Sequence, residues 1–389
     1  MSAVQASLGK EASAESTLVL PSVVGKPESR FRPTTAGWFA RGLAWAALAW
    51  FVFAVPGNFL SPFDLHGEDV GHLITAAVFV ITGLSLNVLI GYTGTISLGH
   101  QAFVGIGAFM AAYMEVDLGI GFWLAVPIAA IVGGLQAAVL GAISLRLTGL
   151  YFALVTFAYG VFTEESIFGI ISFTGGDAGK AVTRPMGFQS PMAYYYLCLG
   201  FVVVVLWLDW RLTRTKGGRA LQALRENPRV ASSYGINVKA YTLLAFVTSG
   251  VFAAVAGALF AHGKDLIVPQ NFGFELALSF ILMTVVGGLR NRAGVVIGSA
   301  FFALMEGGWL FKTWLFDTVG VDWLIEDGIG LPLSFVPHVL GPILLILTLT
   351  THPGGIGQQI APIKEWMLGR KFDIHTGKVR DVEVTDVRA

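Results

Sequence analysis

Cysteine is all but missing from this chain. Cys198 stands alone among 389 residues and lies in an apolar run, which excludes an internal disulfide and any cysteine-based metal cluster. The seven histidines are scattered without ligand spacing, so no metal site is expected. Charge is scarce as well. Asp, Glu, Lys and Arg make up 13% of the residues, where a soluble domain carries roughly 25%. The formal net charge is zero, and the basic bulk that nucleic-acid recognition needs is absent. A nucleotide-binding loop is missing too: GGDAGKA (175–181) has the wrong spacing, and Ala181 stands where a Ser or Thr would hold magnesium. With no nucleophile elbow, metal-ligand cluster or soluble catalytic domain, the chain reads as one that does no chemistry and binds no cofactor of its own. The first 37 residues are polar and lack a long apolar run, which predicts a soluble tail and no cleaved signal peptide.

What is present is apolar. Hydrophobic residues make up 54%, with 48 Gly and 29 Phe, the profile of an all-α polytopic membrane protein. A span needs roughly 20 apolar residues. Ten candidates follow, near 38–56, 71–91, 96–114, 121–145, 149–173, 193–210, 241–262, 275–289, 294–316 and 333–351. Only Arg146 to Thr148 part the fourth from the fifth, and the eighth is short, which leaves eight or nine open. Charge favours ten with both termini in the cytoplasm. Short loops then hold ten Lys/Arg inside against four outside (Lys180, Arg184, Lys264, Lys312), and the outer loops hold acids such as Asp64, Glu115, Asp117, Asp317 and Asp327. The division is a tail over 1–37, a membrane domain over 38–357 and a second tail over 358–389.

The stretch GYTGTISLGHQAFVGIGAF (91–109) is unusual for membrane depth. Gly91, Gly94 and Gly99 each cost a helix about 1 kcal/mol relative to Ala. Thr93, Thr95, Ser97, His100 and Gln101 add polar groups, and non-helical backbone at that depth is tolerated only inside protein or along a watery cavity. We expect a broken or re-entrant helix on a substrate path made by Asn87, Gly91, Thr93, Gly94, Ser97, His100 and Gln101. Close helix packing accounts for Gly105, Gly107 and Ala108. GLSLNVLIGYTGTISLG (83–99) and ALSFILMTVVGGLRNRAG (277–294) each run from Leu-Ser into a Gly-rich break, as a five-plus-five internal repeat would. Glu164 and Glu165 lie two-thirds along the fifth span, at a depth that fits hydrated carboxylates near its outer end. Glu306 is deeper and is read as a buried polar contact on the path.

Between two apolar blocks, residues 211–240 carry seven Lys/Arg and one acid, Glu226. A loop so basic belongs in the cytoplasm. Asn227 before Pro228 is a helix start, and Gly235 a natural stop. Upstream, RALQALRE puts Leu221 and Leu224 on one side of another short helix. The loop is expected to show Leu221, Leu224, Ala231 and Tyr234 among its charges. A basic anchor on anionic lipid is the alternative, but caps and an apolar face favour a protein partner.

At these residues the chain resembles the LivHM-type permease subunits of ABC importers for branched-chain amino acids. The likeness runs from about 71 to 357 through LNVLIGYTGTISLGHQAFVGIGAF (86–109), LRLTGLYFALVTFAYG (145–160), TGGDAG (174–179), the block 218–262, GGLRNRAGVVIGSAFF (287–302) and HPGGIG (352–357). It implies a vitamin-B12-importer-like fold of ten helices in a prokaryotic plasma membrane. It also implies a pore shared with a homologous permease subunit, two cytoplasmic ATPase subunits that use the ATP, and an extracytoplasmic binding protein. By the same resemblance Arg219, Arg225, Ala231 and Gly235 are ATPase contacts. His352 stands where the family usually has Arg, and Thr163 precedes Glu164 where the family often has Gly. Urea or short-chain amides are the alternative cargo. An ion-coupled secondary transporter with Glu164, Glu165 or Glu306 as its coupling site is the alternative of another class, and it leaves 218–238 unexplained.

Overall fold

The computed structural model describes residues 35–50, 52, 67–144, 147, 149–306, 343, 346, 350 and 354–367. Helix α1 (Thr35–Ala49) comes first, then α2 (Gly67–Leu86), which continues through a π-helical turn at Asn87–Gly91. α3 (His100–Val116) and α4 (Phe122–Ser144) follow. α5 (Leu150–Phe162) also ends in a π turn, Thr163–Ile167, and the one-turn α6 (Ile171–Thr174) follows. Strand β1 (Lys180–Ala181) leads to α7 (Pro191–Arg214), and then to the short helices α8 (Lys216–Glu226) and α9 (Pro228–Ser233). α10 (Val238–Lys264) is followed by β2 (Leu266–Ile267), α11 (Phe274–Gly287), α12 (Arg292–Glu306) and α13 (Gly355–Met367).

Among the described residues five stretches are long and apolar enough to cross a membrane: Asp69–Gly91, Phe122–Ile143, Pro191–Arg214, Val238–Lys264 and Pro269–Gly287. A sixth is added if Leu150–Ile167 and Ile171–Ala178, bent by 88°, form one span. The chain is a multi-pass helical membrane protein. The expected span at 333–351 lies almost wholly outside the described residues, as do most of both tails. α13 crosses the expected tail boundary at 358, because Gly355, Gly357 and Pro362 are buried where it packs on α11 and α12.

α2 is the central element, almost wholly buried among α7, α10, α11 and α12. α10 in turn lies across α3 and α4. Lipid tails are as apolar as leucine, so van der Waals contact between helices has to hold the bundle, and small residues permit it. A Cβ on Gly257 of α10 would run into the Val104 carbonyl of α3, and one on Gly107 would strike the Ala254 backbone. Aromatic rings fill the wider gaps: Phe79 meets Phe280 edge to face at 5.3 Å, and Phe109 meets Phe272 at 5.5 Å. α4 and α7 show outward Leu, Ile, Val and Trp, as a lipid-facing surface would.

The two ends of the bundle differ. At one end β1 pairs with β2, antiparallel, with Lys180 opposite Ile267. There Lys180 pairs with Asp117, Arg184 with Asp265 at 3.0 Å, and Glu115 with His262 at 2.8 Å. At the other end lie α8 and α9, with Arg211 over Trp207 and Arg214 over Trp210 at the foot of α7. Exposed Trp beside Arg is the pattern of a membrane–water boundary.

Candidate functional site

The hairpin α8–α9 is set by three side-chain caps. The Thr215 hydroxyl accepts from the Gly218 amide at 3.3 Å and starts α8. Asn227 Oδ1 accepts from the amides of Arg229 (3.1 Å) and Val230 (3.2 Å), with Pro228 in the first turn, and starts α9. Asn237 Oδ1 accepts from the Ala240 amide at 3.1 Å and starts α10. Gly235 closes α9 at φ +79°, a conformation that costs a side chain but not glycine. Each cap satisfies amides that helix geometry leaves orphaned.

One correction concerns the apolar face. Leu221, Leu224 and Ala231, expected on display, are buried and seat the hairpin on the bundle. Periodicity marks a face without saying what it meets, and here it meets the apolar foot of the chain's own helices. The surface left open carries Arg219, Arg229, Val230 and Tyr234, the last 81% exposed.

Beneath the hairpin α2 ends. Its 23-residue span would reach about 35 Å at 1.5 Å per residue, enough to cross the hydrocarbon core before the break begins. Gly91, Thr93 and Gly94 therefore lie at the basic end and not at mid-depth. Gly94 turns the chain at φ +75°. Residues 94–99 are non-helical and climb back into the bundle. The Leu98 amide donates to Thr156 Oγ1 at 3.0 Å, and a Cβ on Gly99 would strike the Thr156 carbonyl, so the chain presses directly on α5. α3 then starts at His100, level with Ser85. The Ser85 hydroxyl donates to the Ser249 carbonyl at 2.6 Å, so His100 Nε2 donates to Ser85 Oγ at 2.8 Å and its Nδ1 is a bare acceptor.

Ser97, His100 and Gln101 are all buried, and the Ser97 hydroxyl, His100 Nδ1 and both amide atoms of Gln101 have no partner among the described residues. Buried polar atoms are nearly always paired, by protein or by water. Such a set beside a re-entrant backbone is what a polar passage would leave. Asn87 is elsewhere: its Oδ1 accepts from the Arg290 amide at 2.8 Å and its Nδ2 donates to the Tyr92 hydroxyl at 3.3 Å, so it holds the breaks together. Glu306 closes α12, but its side chain lies outside the described residues. Glu164 is half-buried against the start of α11 and Glu165 is exposed. Among the described residues no group of three or more His, Cys, Asp or Glu could hold a metal ion.

The basic end holds a polar network that ties these parts together. Arg225 of α8 donates through Nη1 to the carbonyls of Ile90, at 3.1 Å, and Gly91. Glu226 meets Arg290 at 3.3 Å in the turn before α12. The Tyr92 hydroxyl donates to Asp209 Oδ2 at 3.0 Å, and Arg292 pairs with the same carboxylate and with Thr213. Arg225 was expected outward; it faces inward, half-buried, because its guanidinium is the donor that the end of α2 lacks. The two Gly-rich breaks are neighbours. The register that lays Leu84–Ser85 on Leu278–Ser279 also lays Gly94 on Gly288, and both have positive φ.

Residues 70–320 match the family described as branched-chain amino acid transport system / permease component. The chain belongs to this family. It is 29% identical over 271 residues to the high-affinity branched-chain amino acid transport system permease protein LivM of Salmonella typhimurium, covering 62% of this chain and 64% of that one. A probable branched-chain amino acid transport permease protein LivH of Methanocaldococcus jannaschii is 33% identical over 158 residues, 40% of this chain and 46% of the relative. The autoinducer 2 import system permease protein LsrC of an Enterobacter species is 27% identical over 253 residues, 62% of this chain and 71% of the relative. The chain thus spans somewhat less than two thirds of the length of the LivM relative. No solved structure matches it.

The permease's network members Tyr92, Asp209, Glu226, Arg290 and Arg292 are absent from the expected site residues. Asp209 had a local signal, an acid inside the apolar run 193–210. Arg290 and Arg292 registered only as topological charges.

Proposed function

We propose that this chain is the transmembrane permease subunit of an ATP-binding-cassette importer for branched-chain amino acids. It forms half of the translocation path beside a homologous permease subunit. Two cytoplasmic ATPase subunits dock on it and use the ATP, and an extracytoplasmic binding protein delivers the substrate. The chain itself binds no cofactor. It crosses a prokaryotic plasma membrane ten times in a vitamin-B12-importer-like, five-plus-five arrangement, with both termini in the cytoplasm and lipid around its apolar faces.

The observation that carries this reading is the hairpin 215–237. It is capped at three points, seated on the bundle by Leu221, Leu224 and Ala231, and open to a partner through Arg219, Arg229, Val230 and Tyr234. A rigid, basic, outward surface on a chain with no nucleotide-binding loop suits an external motor. Switching between outward- and inward-facing states requires that the partner bind the two states differently.

Co-purification of the tagged permease with its ATPases tests the docking. Arg229→Glu and Tyr234→Asp are each expected to weaken ATPase capture by about tenfold or more, about 1.4 kcal/mol of binding. Undiminished capture in both variants removes the docking assignment. Uptake of labelled leucine against labelled urea, with the cognate binding protein, decides the cargo.

A further inference from the structure

Two consecutive residues of α8 hold the two helix breaks. Arg225 bonds the Ile90 and Gly91 carbonyls at the first break, and its stem lies over Gly94, where a Cβ would come within 3.6 Å of Arg225 Cγ. Glu226 holds Arg290 at the second break, and the breaks hold each other through Asn87 Oδ1 and the Arg290 amide. The first break leads into the non-helical residues 94–99, which include Ser97, and then to His100 and Gln101. The last carbonyls of a helix have no partner within it, and a cation there is also favoured by the helix dipole. Both carbonyls take their bonds from one guanidinium nitrogen, so a displaced α8 pulls on the bonded turn.

We propose that Arg225 is the positioning residue that transmits movement of the α8–α9 hairpin to the re-entrant segment 94–101, and that it acts inside the permease and not as an ATPase contact. Resting on the docking reading above, this assigns separate tasks to separate faces of one hairpin: Arg229 and Tyr234 receive the partner, and Arg225 passes the displacement on. The joint belongs to α8 because Arg225 lies in its last turn, directly before the cap Asn227 that starts α9. Its loss leaves docking intact and disconnects the path.

The assembled transporter in proteoliposomes, with its ATPases and binding protein, separates these tasks when uptake and ATP hydrolysis are measured on one sample. Arg225→Ala is expected to keep ATPase capture and hydrolysis within about twofold of the unaltered complex while uptake per ATP falls about tenfold or more. Arg225→Lys keeps a charged nitrogen donor on a shorter side chain, and is expected to recover part of that loss. Uptake per ATP that stays normal in Arg225→Ala overturns the proposal, and so does loss of ATPase capture, which would make Arg225 a docking residue. If Arg225→Ala does not fold, Arg225→Met, which keeps the stem and loses the donors, decides: normal uptake per ATP overturns the proposal, and folded but uncoupled protein supports it. Failure of the unaltered chain to capture any ATPase sinks the docking reading, a result separate from these.

Discussion

Removing Arg292 should cost the fold far more than removing its partner. Asp209 is fully buried, and its Oδ1 has no partner among the described residues. Its Oδ2 takes the Arg292 guanidinium and the Tyr92 hydroxyl. Arg292→Leu strips the carboxylate of its only counter-ion among the described residues, and also takes a donor from the Asp209 carbonyl (3.2 Å) and from Thr213. Breaking a buried pair in this way costs about 3–5 kcal/mol. The loss has a ceiling, because the carboxyl can take up a proton instead, and neutralising an ordinary Asp at pH 7 costs about 4 kcal/mol. We therefore expect about 3–4 kcal/mol for Arg292→Leu. Asp209→Leu differs, because Arg292 is 28% exposed and its long stem can carry the charge to water. Its cost should be about 1–2 kcal/mol, set mainly by the Tyr92 hydroxyl and the Thr213 contact left behind. The double variant should cost well below the sum of the two, because it leaves no buried charge without its partner. Reversible unfolding in mixed micelles, followed by the fluorescence of the chain's ten tryptophans, measures all three. An Arg292→Leu cost under about 1 kcal/mol, or an Asp209→Leu cost as large as it, refutes the reasoning.

Three further outcomes test other parts of the structure. Gly107→Val has to push α3 off the Ala254 backbone and should lose about 1–3 kcal/mol in the same unfolding measurement. Gly200→Ala on the open face of α7, where nothing lies within 4 Å, should be neutral or gain up to about 1 kcal/mol. At the opposite end Glu115 stands beyond the apolar run of α3. Burial raises its pKa, but hydrogen bonds from His262 and Thr183 outweigh that and hold it below the ordinary 4.5. A carboxyl lowered on folding adds stability above its unfolded pKa and loses it as the pH falls through the folded one. Thermal stability of the permease should therefore drop below about pH 4.5, and Glu115→Gln should flatten that part of the profile; an unchanged slope in the variant refutes the link.

What the sequence makes legible is what acts over short distances. Asn227 with Pro228 and the Gly at 235 announce α9 because a cap is made between residues two to five apart. The basic loop announces its end of the bundle because positive charge sorts by side. The breaks near 91 and 288 are legible because glycine and polar residues weaken a helix locally. The partners of those breaks are not. Arg225 and Ile90 are 135 residues apart, and Asn87 and Arg290 are 203 apart, so no spacing rule connects them. The direction of the apolar face of α8 is hidden for the same reason. Leu221 and Leu224 mark one side of a helix, and only the packed bundle decides that this side faces in. Depth misleads as well: the polar stretch 91–101 begins after a full span, which counting residues from Asp69 would have shown.

The placement of the network follows from a constraint that all spanning chains share. A broken helix leaves its last carbonyls without donors, and where protein buries them, as at Ile90 and Gly91, water does not supply them. At Ile90 and Gly91 the donor is Arg225, from a segment that also presents the exposed surface of Arg229 and Tyr234. At the second break the donor is reversed: the Arg290 amide is satisfied by Asn87 of the first. Satisfying the hydrogen bonds of two broken helices has thus joined them to each other and to the hairpin. A hairpin held only by Leu221 and Leu224 could slide on an apolar surface, since such contact has no direction. Directional bonds to fixed carbonyls cannot slide without breaking. The same bonds that make the breaks tolerable therefore make α8 and the re-entrant segment move as one body.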